Sequence, residues 1–94
     1  MHPEDDMRIW FRIWKNAHLV RQTVIERNED DTRTHKVLGS LEDACHEFDL
    51  DIPIWLDKNV KEFKRSSKTR FTADCFISEI DFDHLEMSVL EEDI

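Results

Sequence analysis

Glycine is almost missing from this chain: Gly39 stands alone among 94 residues. Phosphate-cradling loops and dinucleotide folds need several glycines for close backbone approach, so nucleotide binding of those kinds is excluded. Proline occurs twice and tyrosine not at all. With so few breakers and an apolar content of 39%, the composition argues for a folded domain rather than a disordered one. Cysteine is also scarce. Cys45 and Cys75 lie thirty residues apart without CxxC spacing, which points to reduced, semi-buried thiols rather than a disulfide. No apolar run approaches the ~20 residues needed to span a bilayer. The opening Met1-His2-Pro3-Glu4-Asp5-Asp6 has neither a basic nor an apolar signal region. A cytoplasmic protein with no membrane partner is the expectation.

What the chain does have is charge. Charged residues make up 37%, against about 25% in ordinary domains, and the net charge is −9. The distribution says more than the total. Residues 58–70 carry six Lys/Arg against one Glu, while the flanking segments are acidic. A basic island in an acidic chain is a candidate binding feature.

The pattern around which the chain is organised is Met7–Lys15. Met7, Ile9, Phe11 and Ile13 alternate with Arg8, Trp10, Arg12 and Trp14. A period of two, rich in aromatic and β-branched residues, predicts a strand with one apolar face and one face alternating guanidinium with indole. Residues 1–6 read as a disordered tail, and 7–94 as a single small domain. Asn16-Ala17 predicts a tight hairpin turn into a second strand, Leu19–Arg27. The polar run Asn28–Thr32 breaks that strand and offers helix caps.

A helix is predicted over Thr34–Phe48, with Val37, Leu38, Leu41, Ala44, Cys45 and Phe48 as its apolar stripe. Pro53 ends that region, and Ile54-Trp55-Leu56 reads as buried. A second helix should run from Asp57 to about Ser67, with Leu56, Val60 and Phe63 on one face. Phe71, Thr72 and Phe76 match a hydrophobic staple, which predicts a third helix from Ala73 to Glu79. Alternation over His84–Leu90 predicts a third strand. The expected fold is α+β: a three-stranded antiparallel sheet in the order ββαααβ, first strand central, helices packed on one face.

Five histidines invite a metal reading, with His35, Glu42 and His46 on one side of the first helix. They face away from the apolar stripe and read as a solvated surface, so no metal or cofactor is expected. Cys45 and His46 are adjacent and point about 100° apart on a helix, which rules them out as a nucleophile–base pair. Asp81, Asp83 and Glu86 read as a charged strand start. No catalytic residue is assigned.

Two surfaces remain. The first is the face carrying Arg8, Trp10, Arg12 and Trp14, residue types enriched in interface hot spots; a covering by Trp55 or the 50–56 segment would remove it. The second is the anion-binding candidate set Lys58, Lys61, Lys64, Arg65, Lys68 and Arg70, with Trp55 or Phe71 near enough to stack on a base. The net charge of −9 opposes steering towards nucleic acid. The expected function is a small non-enzymatic protein-interaction module, with a protein partner or a second copy of itself. A nucleic-acid-binding domain using residues 58–70 is the alternative, and a small enzyme without a recognisable motif is the second.

The stretches IPIWLDKNVKEFKRSSKTRF (Ile52–Phe71) and DFDHLEMSVLEED (81–93) resemble a family of small acidic bacterial proteins of unknown function. That resemblance implies no activity.

Overall fold

A computed structural model of the chain describes residues 7–28 and 31–92, the last two as backbone only. The expected tail, residues 1–6, lies outside the described residues. Strand β1 (Met7–Lys15) and strand β2 (His18–Arg27) form a hairpin. Its two turn residues, Asn16 and Ala17, both take positive φ, 53° and 65°. That is the geometry whose twist matches two antiparallel strands.

Helix α1 spans Arg33–Phe48. The Thr32 hydroxyl accepts from the His35 N–H at 3.2 Å and caps it. Asp49, at φ 60°, closes it, and the Leu50 N–H returns to the Cys45 carbonyl at 2.8 Å. The buried stripe is Val37, Ser40, Leu41, Ala44, Cys45 and Phe48, joined by Lys36; Leu38 is 43% exposed. Helix α2 spans Asp57–Ser66 and is followed by strand β3 (Lys68–Phe71), a single 3-10 turn (Ala73–Cys75) and strand β4 (His84–Glu92).

The expected three strands and three helices are corrected to four antiparallel strands, ordered β2-β1-β4-β3, and two helices. The class is α+β. The missed strand is the end of the basic segment. Ser67 takes a left-handed conformation, φ 59°, and its N–H caps Phe63 at 2.8 Å, so the chain reverses there. Thr69 and Phe71 then turn inward, and Lys68 and Arg70 outward.

The third helix fails for a local reason. The Thr72 hydroxyl bonds the Asp74 side chain instead of capping a backbone N–H. The Cys75 carbonyl, which a helix would use, accepts from the Ile54 N–H at 2.7 Å. Phe76 is extended, and Ile77 is 84% exposed rather than packed. Ile54, expected inside, is 50% exposed.

Both helices pack against one face of the sheet, where Met7, Ile9, Phe11, Ile13, Leu85, Met87 and Phe71 are buried with the α1 stripe and Phe63. The lone glycine has a reason there. A Cβ on Gly39 would meet the Arg27 guanidinium at 2.8 Å, and Arg27 passes that point to reach Asp43 at 2.5 Å.

Candidate functional site

Because β1 alternates, packing its odd residues under the helices sends Arg8, Trp10, Arg12 and Trp14 to the opposite face. Trp55 does not cover them. It packs edge-on against Phe63 and Phe71 at 5.5 and 5.1 Å, on the helix side of the sheet. Among the described residues no helix lies over the even residues of β1.

The strand register decides what surrounds them. Val24 stands opposite Trp10 on β2 and Ser88 opposite it on β4; Gln22 and Glu86 flank Arg12. The Trp10 indole N–H donates to the Gln22 side-chain oxygen at 3.0 Å. The Trp14 indole N–H donates to Glu86, also at 3.0 Å. The Arg12 guanidinium lies between the two rings, 4.0 Å from the Trp10 centroid and 5.9 Å from that of Trp14. It is anchored by Glu86 at 3.0 Å and by the Ser88 hydroxyl at 3.3 Å. Arg12 and Glu86 expose only 18% and 16% of their side chains, so this pair is screened less than a surface pair. The result is a ladder of rings and charges, fixed before anything binds to it.

The six cations of residues 58–70 do not share one surface. Lys58 turns to Asp74 at 3.2 Å and to the Thr72 hydroxyl at 3.2 Å. The Asp74 carboxyl lies below its usual range, held there by the Thr72 hydroxyl and then by Lys58. Lys61 and Lys64 stay on exposed turns of α2. Arg65, Lys68 and Arg70 line a shallow polar depression of about 220 Å³ with Glu62, Ser66 and Glu86. Lys68 and Arg70 pair in register with Ser88 and Glu86, which puts them on the same open face as the ladder. The two surfaces read separately from the sequence therefore meet.

His84 sits in register with Trp14, and its pKa lies below the ordinary histidine value. Partial burial is the main cause, with the Arg70 charge next. A depression of about 350 Å³ is lined by Glu42, Asp43, His46, Leu50, Asp51 and Ile52 at the end of α1. Its histidine and all its carboxylates are exposed, so solvent competes for every polar group there. No group of three His, Cys, Asp or Glu is placed to hold a metal among the described residues. A mainly apolar groove of about 210 Å³ lies between the helices, walled by Val37, Leu38, Trp55, Val60 and Phe63.

Both thiols are buried, and burial followed by the Asp51 charge pushes Cys45 up to about 12. A thiol that stays protonated is a poor nucleophile. In the native state both cysteines should react with a disulfide-exchange dye at least about a hundredfold more slowly than in denaturant. Rapid labelling of either without denaturant would show a reactive thiol.

Sequence reasoning missed Asn59, which is fully buried. Its side-chain oxygen accepts from the Leu56 N–H at 2.9 Å, and its amide donates to the Thr69 hydroxyl at 3.0 Å and the Arg70 carbonyl at 2.8 Å. The available signal was its i,i+4 spacing to Phe63, which places an amide on the apolar side of α2. Gln22, Glu86 and Ser88 left no such trace, because their role depends on which strand lies beside β1.

No helix among the described residues is long and apolar enough to cross a membrane. Comparison of the chain with protein-family models, with curated proteins and with solved structures returns no match.

Proposed function

We propose that this chain is a non-enzymatic protein-interaction module that binds through the open face of its sheet, centred on Trp10, Arg12 and Trp14. One observation carries the reading. Two half-buried indoles and the guanidinium between them stand on a face that no helix of the described residues covers, already locked by four polar contacts. Side chains immobilised before binding lose little rotamer freedom on association, which favours affinity. The face also carries Arg8, Lys68 and Arg70 at its margins, so a partner with apolar and acidic groups complements it.

The test uses the intact protein as bait in native lysate, beside a Trp10→Ser/Trp14→Ser variant. A partner retained by the wild type, lost by the variant and indifferent to nuclease is expected. Equal retention by both would overturn the reading.

The placement of Arg65, Lys68 and Arg70 around one depression favours a second reading, binding of single-stranded nucleic acid. Phosphate neutralisation makes such binding fall steeply with salt, whereas an apolar interface barely responds. Retention that disappears with nuclease or moderate salt would transfer the function to this second reading.

A further inference from the structure

The sheet has two edges, and they differ. β3 is four residues long and carries Lys68 and Arg70. Short, cationic edges resist pairing with another chain. β2 is ten residues long and contains no proline, glycine or lysine. Leu19, Val20 and Val24 on it are 40%, 50% and 43% exposed. Its two arginines do not guard the edge, because both are drawn under the sheet. The Arg21 guanidinium donates to the Phe48 carbonyl at 3.3 Å and lies 4.9 Å over the Phe48 ring; that of Arg27 binds Asp43. The one irregularity, an extra residue at Val20, sits near the hairpin turn and leaves residues 21–27 in regular register.

We propose that β2 pairs antiparallel with β2 of a second copy about a twofold axis at Val24, joining two sheets into one of eight strands. This goes beyond the interaction reading: it uses the edge of the sheet, and the face of Trp10, Arg12 and Trp14 stays open in the pair. The complementarity of the strand with itself selects both partner and register. With Val24 on the axis, Val24 meets Val24 of the second copy, Gln22 meets Glu26, and Thr23 meets Ile25.

The side-chain oxygen of Gln22 is already taken by Trp10, which leaves its amide group to donate to a carboxylate. Glu26 supplies one on the same face, where Arg8 holds it at 3.5 Å. Trp10 lies beside Val24, so an apolar row Trp10–Val24–Val24–Trp10 would cross the junction. On the helix side Arg21 meets Arg27, but each is held by its own α1, Arg21 on the Glu47 and Phe48 carbonyls and Arg27 on the Asp43 carboxylate. Moving the axis to Thr23 or Ile25 sets Val24 against Gln22 or Glu26. Moving it to Gln22 brings the irregular Val20 into the pairing.

Sedimentation of the full chain over a concentration series tests the proposal, beside Val24→Glu and Val24→Cys variants. The wild type should shift from 11.3 kDa towards twice that mass, and Val24→Glu should stay monomeric with an unchanged circular-dichroism spectrum. Val24→Cys should cross-link to a covalent dimer under mild oxidation at least about tenfold faster than Ile54→Cys, a slightly more exposed control. The native thiols are buried and do not compete. A wild type that remains monomeric throughout, with Val24→Cys no faster than the control, overturns the proposal. A dimer that both Val24 variants leave intact, and that does not cross-link, does so as well. Loss of dimerisation with retained, Trp-dependent capture of another protein would remove the second copy as partner while the interaction reading stands.

Discussion

Replacing Asn59 by leucine should destabilise the fold by about 3–5 kcal/mol, a fall in melting temperature of roughly 12–40 °C for a domain of this size. Leucine keeps the branched shape and the number of side-chain heavy atoms, and its higher helix propensity favours α2, so the loss reports the hydrogen bonds. Four groups bond this one amide: the Leu56 N–H that opens α2, the Cys75 thiol, the Arg70 carbonyl of β3, and the Thr69 hydroxyl, which keeps Glu62 as a second partner. Each buried polar group left without a partner costs about 1–3 kcal/mol, and partial relaxation keeps the total below their sum. Asn59→Asp should retain the bond to Leu56 yet set a carboxylate against the Arg70 carbonyl, so its defect should ease as pH falls. Urea denaturation of both variants measures this. A loss below about 1 kcal/mol for Asn59→Leu would mean that water replaces the amide, and that α2 and β3 are not joined through it.

Phe71→Ala should cost about 3–5 kcal/mol, and Phe71→Leu less than about 1.5. Phe71 is fully buried on β3, opposite Leu85, and forms the edge-on seat of Trp55. Its truncation removes a large apolar side chain, leaves a cavity and deprives a four-residue strand of one of its two inward side chains. The emission of Trp55 should shift to the red in the Ala variant as water reaches the ring. A staple residue ahead of a short helix would contribute only about 1 kcal/mol or less, so the size of the effect separates the two roles. Ile77→Ala serves as the contrast. At 84% exposure Ile77 should change stability by no more than about 0.5 kcal/mol, although a third helix would have buried it.

Local alternation and helical spacing were enough to place β1, the hairpin turn, β2, α1, α2 and the start of β4, because those signals lie within the elements themselves. Met7, Ile9, Phe11 and Ile13 had to share one face whatever lay beside them, and the run Asn28–Thr32 could be recognised as a source of caps, of which Thr32 is the one used. β3 was not readable in this way. Four residues with two cations match a helix end as well as a strand, and what made Lys68–Phe71 a strand was the edge of β4 with the reversal at Ser67. The staple pattern at Phe71-Thr72-Phe76 was a local preference, overruled when Phe71 was drawn into the core and Cys75 engaged Ile54.

The candidate site divides along the same line. That Arg8, Trp10, Arg12 and Trp14 share a face follows from the geometry of any strand. That Gln22 and Glu86 lock its indoles, and that Lys68 and Arg70 join it, follow from the strand order β2-β1-β4-β3. Strand order is set by contacts between residues as far apart in the chain as Met7 and Glu92, and a short periodic pattern carries no record of its neighbours.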